Sequence, residues 1–591
     1  MLKIRLLKVF LILFLFISPI CIVKADDGIR QAMRDEIQRS IKNLHLETLE
    51  KPYYIEYVLK LTDYHTAKAT LGELTESDNE KTSVLNVGMR VGGYKFDNSN
   101  YLDFGFSFFG SGDDEEKFTN RKVPLELDYK SFRRELWLAT DAAYKQVSEI
   151  YSKKLAIIKN RMRKDTTHDF LQIPPQKLYD TLEAPQFNRK KIEDLCKSLS
   201  AIFVDYPEIE QSTVGVEYIP EKIFFINSEG REYIKTHFYI GLEVVAATRA
   251  EDGMPLMNHY TIFRNNPDDL PKDDSLKNAV RILAGKLSKL RSASVLEESY
   301  SGPVMFEGQA ASEIFAQVFA PNLVTQRMPL TERGVQESDR FMAFQTKIGG
   351  RVLPEFLSVN ALPNKKDIEG IELLGAYIFD DDGVKAEDVL LVKNGFLKSL
   401  LSSRVPTRRV RKTNGHKRGG ASMLSVIELS SDPGHSKTKN ELKERMLELC
   451  RDRELEYGII VKKVLDQNIQ YTTLMRISSG NFSMSRSDKQ KSLIEVYKVY
   501  QDGREELIRG VKAKGISVQS FKDILNIGKE IYVLNYLAPS ITSPYFSGGS
   551  QYVGASVVVP DLLFEDCEIK PMEDDFPKPP IIINPLTEYK K

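Results

Sequence analysis

No two histidines of this 591-residue chain stand within five residues of each other. That spacing excludes every helix of the H-E-x-x-H type, in which two imidazoles one turn apart hold a zinc ion. The chain also lacks a G-x-S-x-G nucleophile elbow, a Walker A loop and a dinucleotide fingerprint after a strand. Cysteine is scarce, with Cys21, Cys196, Cys450 and Cys567 the only four, too few and too widely spaced for a disulfide framework. Charge of one sign is missing as well. Eighty-three basic residues balance eighty-three acidic ones, so no global field draws the chain to nucleic acid. The one long apolar run, Val9 to Val23, is shorter than the roughly 20 residues that span a bilayer.

That run is read as part of a signal peptide over residues 1–25. Lys3, Arg5 and Lys8 precede it, and Val23-Lys24-Ala25 supplies small residues for cleavage before Asp26. An uncleaved anchor is the other reading. Either way the chain is expected to be exported, to the periplasm or the exterior. The remaining 566 residues exceed what one hydrophobic core serves, so two domains are expected.

Apolar periodicity predicts helices at Asp26 to Leu49, Tyr129 to Lys164, Arg189 to Phe203, Asp274 to Leu290 and Lys439 to Arg453. Trp137, the only tryptophan, is expected in the core. From Val216 to Leu256 strand-rich runs alternate with turn signals at Ser228-Glu229-Gly230 and Glu251-Asp252-Gly253. Tyr300-Ser301-Gly302-Pro303 marks a boundary, beyond which short strands dominate. Asp380-Asp381-Asp382-Gly383 reads as a β-turn, because its acids lack the alternate spacing of a calcium loop. Ser547-Gly548-Gly549-Ser550 reads as a flexible turn. The proline-rich end is expected to be a flexible tail.

Val389 to Ile427 contains nine basic residues and no acidic one. Within it RVPTRRVRKTNGHKRGG combines cations with loop-forming glycines, a histidine and an asparagine. A functional reading takes Arg404, Arg408, Arg409, Arg411, Asn414 and His416 as groups that bind an anionic part of a peptide. The plainer reading is a solvated loop whose charges lie over acidic partners elsewhere in the fold.

Read in order, LWLATDAAYKQVSEIYSKK, FINSEG, SGPVMFEGQAASEIFAQVFAPNL, IFDDDGVKAEDVLLVKNGFLKSLL, KTNGHKRGG and DGREELIRG resemble the TldD/PmbA metallopeptidase family. The resemblance implies an α+β fold: an α/β N-terminal domain at 26–298, a mainly β C-terminal domain at 299–570, and the tail at 571–591. It also implies a zinc peptidase acting on small or unfolded peptides. In active members H-E-x-x-x-H follows the G-P-V strand. Here that hexapeptide aligns with Ala316-Gln317-Val318-Phe319-Ala320-Pro321, which offers neither imidazole nor general base, and Pro321 is expected to end the helix at Ala320. The family's cysteine ligand is absent from Phe546 to Gln551 too. PmbA-type subunits of the family lack the complete motif and pair with a zinc-bearing TldD-type subunit. The expectation is therefore an exported, non-catalytic or partner-dependent member without catalytic or metal-binding residues. It would bind peptides or unfolded polypeptide, act as a homo-oligomer or heteromer, and leave nucleic acid alone. Two alternatives stand beside it: an active peptidase whose zinc has moved to a site using His416, and an envelope scaffold.

Overall fold

The computed structural model describes residues 18–573 except 47–48, 103–117, 161–165, 181, 332–341, 467–489 and 542–550, and in the tail 576, 578 and 584–589. Of the signal peptide read over residues 1–25, residues 1–17 lie outside the described residues, as does the Ser547–Ser550 turn.

In the N-terminal half, five long strands form an antiparallel sheet. They are β1 (Pro52–Thr70), β2 (Glu73–Gly93), β3 (Gln211–Asn227), β4 (Glu232–Arg249) and β5 (Pro255–Arg264), in the order β2-β1-β3-β4-β5. Side chains alternate between the faces of a strand, and here both faces are covered. Ile55, Tyr57 and Leu59 of β1 point toward α1 (Ser18–Asn43) and α2 (Tyr129–Asn160). Further along the same face, Ala67, Val216 and Leu242 meet α3 (Arg189–Ser200) and α4 (Asp273–Leu290). The opposite face, with Val58, Ile223, Phe225 and Tyr233, packs on Phe379 of the C-terminal half.

Each helix buries the stripe its sequence repeats. Ile29, Met33 and Ile37 of α1 are inside, as are Phe132, Leu136, Ala143 and Val147 of α2. Trp137 corrects the expectation: it is 48% exposed. It follows Leu136 directly, so it lies about 100° around the helix from the buried stripe.

In the C-terminal half the core is one mixed sheet organised by a single long strand. Its elements are β6 (Tyr300–Phe306), β7 (Leu357–Ala361), β8 (Val426–Ser431), β9 (Tyr457–Val464), β10 (Gln490–Tyr500), β11 (Val511–Lys514), β12 (Ile524–Pro539) and β13 (Tyr552–Pro571). Strand β13 pairs with β12 and β8 over its first part and with β6 and β11 over its second. The succession β13-β6-β9-β10-β11 returns to β13 and closes a five-stranded ring. Inside it Val304, Phe306, Val461, Val496 and Ile569 are buried. Helix α6 (Lys439–Asp452) begins with a capping box of Thr438 and Glu441, and covers Met305 and Ile460 with Leu442 and Met446. Two described residues of the tail are anchored: Phe576 packs against the α3–α4 core, and Asn584 Nδ2 donates to Pro207 O at 2.8 Å.

Candidate functional site

The segment aligned with the zinc helix is positioned by β6, whose Val304, Met305 and Phe306 are fully buried. Gly308 follows with φ 50° and ψ −112°, and its N–H is held by Asp561 Oδ1 at 2.7 Å. Short helix α5 (Gln309–Ile314) then gives way to a π turn, Phe315–Phe319, and a 3-10 turn, Ala320–Leu323. The regular α-helix therefore ends earlier than expected, while Ala320 itself keeps helical angles of −58° and −39°. Pro321 has no N–H to return to an α-helical carbonyl, and the wide turn followed by a tight one re-routes the backbone around it. Ile314, Phe315 and Phe319 are fully buried, and the Phe319 ring lies 5.1 Å from those of Phe344 and Phe521.

One side of this segment is polar. Gln309 completes the end of β9 like an added strand residue, its amide accepting from Val464 N–H and donating to Val464 O, both at 3.0 Å. Gln317 Nε2 donates to Glu313 Oε1 and to Leu465 O, both at 2.8 Å. Nearby, Asp466 accepts from the Thr261 hydroxyl of β5 at 2.8 Å, and His259 Nε2 lies 3.3 Å from Val464 O. Burial, then Lys463, pushes His259 well below the ordinary range and keeps it neutral. Residues 316–321 do not fit a zinc ion. Ala316 and Pro321 carry no donor, and the Gln317 amide is already committed. Among the described residues no three of His, Cys, Asp and Glu gather as metal ligands.

On its apolar side Ala316 opens onto a pocket shared with Gln326, Met423, Leu424, Tyr536 and Ala538. Tyr536 is 2% exposed, and its hydroxyl has no hydrogen-bond partner; neither has Gln326 Oε1. Sequence reasoning missed Tyr536 and Gln326. Nothing in IYVLNYLAP or in VTQRM distinguishes a residue that lines a pocket from one in a core.

The basic segment divides in two. Arg404 is fully buried between the halves; its Nη2 lies 2.7 Å from Glu229 Oε2, and Nε and Nη2 donate to Leu171 O. Burial opposes its charge, but Tyr54, Asp382 and Glu229 hold its pKa raised. Asn414 is half-buried and ties its own loop, accepting from Ser402 N–H at 2.7 Å and donating to Leu400 O at 3.0 Å. His416 is buried, Nδ1 beside Asn414 O at 2.9 Å and Nε2 3.4 Å from Ser425 Oγ; burial pushes its pKa down to about 4. Arg408, Arg409 and Arg411 are exposed. The six residues thus form an exposed arginine tip on a buried base rather than one surface.

That base grips the Asp380–Gly383 turn. Asp380 Oδ1 accepts from the N–H groups of Asp382 and Val384 at 2.9 Å, and Gly383 has φ +70°. Lys417 Nζ reaches Asp382 Oδ1 at 2.7 Å, and Lys235 of β4 reaches Asp381 at 2.7 Å. Arg231 donates to Gly383 O and Tyr233 to Asp381 O. Burial would raise Asp381, yet Lys235 and Lys417 hold it below the usual range; Asp380, with no cation of its own, is pushed up to about 7 by burial and by Asp382.

Residues 299–571 match the PmbA/TldA metallopeptidase C-terminal domain. Comparison of the sequence with curated proteins gives no match. Among solved structures, the fold is similar to a Thermotoga maritima protein described as a modulator of a DNA gyrase, at 14% identity and a TM-score of 0.55, covering 92% of this chain and all of that one. It is also similar to TldE from Thermococcus kodakarensis, at 12% identity and a TM-score of 0.54, covering 91% and 99%. A Bacteroides thetaiotaomicron protein described as a modulator of DNA gyrase gives 10% identity and 0.52, covering 92% and 99%. Residues 299–571 thus belong to the PmbA/TldA metallopeptidase C-terminal domain family, and the chain as a whole has the α+β fold of these structures.

Proposed function

We propose that this chain is an exported, non-catalytic peptide-binding member of its family, acting alone or beside a zinc-bearing TldD-type subunit. The observation that carries the reading is the packing of residues 316–321, the segment aligned with the family's zinc ligands. Where the family places an imidazole, Ala316 offers a methyl group, and where it places the general base, Gln317 is fixed between Glu313 and Leu465 O. A carboxamide takes up no proton at neutral pH, so no activated water can be generated at that position. What remains is a polar edge and an apolar pocket, the two requirements for holding a peptide. Export rests on the sequence of residues 1–25 alone.

The test uses protein lacking residues 1–25, purified without metal-affinity steps. Metal analysis is expected to give far less than one zinc per chain, and unstructured peptides are expected to bind without being cleaved. Peptide cleavage abolished by a chelator and restored by zinc would overturn the reading. Cell fractionation that leaves the full-length protein in the cytoplasm would remove the export claim.

A further inference from the structure

We infer that the outer edge of β4 at Lys235–Tyr239 is a docking slot for an extended peptide, which pairs there backbone to backbone as an added strand; the inference rests on the peptide-binding reading above and gives it a place. On one side β4 is paired with β3 without interruption from Glu232 to Ala247. On its other side the partner changes. Lys177–Tyr179 run parallel to Glu232–Ile234, and β5 runs antiparallel to Ile240–Arg249. Between them, residues 235–239 have no strand beside them among the described residues, and all of them are half-buried.

The direction of the backbone shows which groups are open. Glu232 N–H donates outward to Gln176 O at 2.9 Å, and Ile234 O accepts from Asp180 N–H at 2.8 Å, where the parallel ladder ends. A strand turns its N–H and C=O groups to alternate sides residue by residue, so Thr236 and Phe238 direct theirs outward as well. Pro220, the β3 residue opposite Phe238, has no N–H to offer across the pair and agrees with this phase. Among the described residues no backbone bond answers Thr236 or Phe238 on the outer side. Unanswered main-chain groups along a strand edge are complementary to one kind of ligand, another extended chain. The gap from Ile234 to Ile240 measures about 20 Å at the rise of a strand, room for about five residues. Lys177–Tyr179 and β5 close it at both ends in the plane of the sheet, so a lone strand fits and the long edge of a second folded copy does not. The slot is separate from the pocket beside Ala316. Leu537, which packs with Phe263 and Tyr239 next to the slot, lies on β12 between Tyr536 and Ala538, and those two line the pocket from the opposite face of the strand.

Fluorescence anisotropy tests this with a labelled eight-residue peptide of alternating threonine and serine, compared with versions N-methylated at every second amide or at all of them. Methylating alternate amides leaves one edge of the peptide free to pair, and is expected to change affinity by less than about threefold. Methylating all of them removes the N–H groups from both edges, and is expected to weaken binding by about tenfold or more. On the protein, Thr236→Pro removes one outward N–H and sets a ring on the edge. It is expected to weaken the parent peptide by about tenfold or more at a nearly unchanged melting temperature, because that N–H is not bonded to β3. Thr236→Ala keeps the N–H and is expected to bind as wild type. If Thr236→Pro fails to fold, the methylated peptides decide alone. Undiminished binding of the fully methylated peptide, or undiminished binding by folded Thr236→Pro, overturns the slot while leaving peptide binding in place. Failure of every peptide to bind overturns the inference together with the function on which it rests.

Discussion

At the Asp380–Gly383 turn, charge is carried into the interior; at Ala316–Pro321, in the same half of the chain, the backbone runs through an apolar wall. The first region joins Asp381 to Lys235 and Glu229 to Arg404 across the two halves of the molecule, with Asp382 paired to Lys417 beside them inside the C-terminal half. The second holds its few polar groups as neutral amides or in fixed hydrogen bonds, and gives its volume to Phe315, Phe319 and Ala316. The difference separates two uses of buried polarity. Ion pairs between the halves fix how one sheet seats on the other, because a charge that loses its partner there is costly. A binding pocket has the opposite need, a few unanswered dipoles in an otherwise apolar wall.

Breaking the first region gives the largest expected effect. Arg404→Met leaves Glu229 without its closest cation in a buried setting, and is expected to destabilise the protein by about 3–5 kcal/mol in urea unfolding. A loss below about 1 kcal/mol would show that the seam does not depend on this pair. Next comes the one acid of the turn without a cation. A carboxyl raised to about 7 binds a proton in the folded state that it releases in the unfolded one. Its contribution is complete below the unfolded value near 4 and is lost as pH rises through 7. Stability measured from pH 4 to pH 8 in wild type and Asp380→Asn is expected to show a shallower fall in the variant. Equal slopes would place the Asp380 proton elsewhere.

The neutral histidine of the loop works in the other direction. Its pKa is lowered by burial to about 4, so stability present above the unfolded value near 6.5 is lost as pH falls from there toward 4. His416→Gln is expected to reduce that acid-side loss in thermal melts; an unaltered acid limb would sink the assignment. The smallest effect belongs to the tip. Replacing Arg408, Arg409 and Arg411 together by glutamine is expected to leave the melting temperature nearly unchanged, since exposed pairs contribute about 0–1 kcal/mol each. If peptide affinity falls in that triple variant, the tip belongs to the binding surface; if it holds, the tip is solvated charge.

Much of the architecture was legible because it is local. The stripes of α2, α3, α4 and α6 are written at helical spacing, and three of the four begin at the residue expected while α4 begins one residue earlier. The Asp-Gly and Glu-Gly turns require positive φ, and Gly230, Gly253 and Gly383 have it. The basic segment was not legible in the same way. Whether an arginine points inward depends on a partner far along the chain, and Glu229 lies 175 residues from Arg404. Composition could show nine cations without showing that Arg404, Lys417 and Arg418 leave the surface while Arg408 and Arg409 stay on it. Trp137 is a simpler case: its position on the helix, next to the buried stripe rather than in it, places it at the surface whatever its residue type.

Strand β13 sets the order in which this protein can be made. It pairs with residues 300–306, 426–428, 511–514 and 524–539, yet it occupies residues 552–571. A ribosome that has delivered the first 550 residues has delivered four neighbours and not the strand between them. The N-terminal sheet can form while synthesis continues, since all five of its long strands precede residue 265. The C-terminal ring stays open until residue 571 has emerged. A stop codon between residues 540 and 552 thus removes the strand on which the half is built: it leaves β6, β8, β11 and β12 with exposed edges, and such a fragment is a substrate for proteases and aggregation instead of a smaller version of the protein.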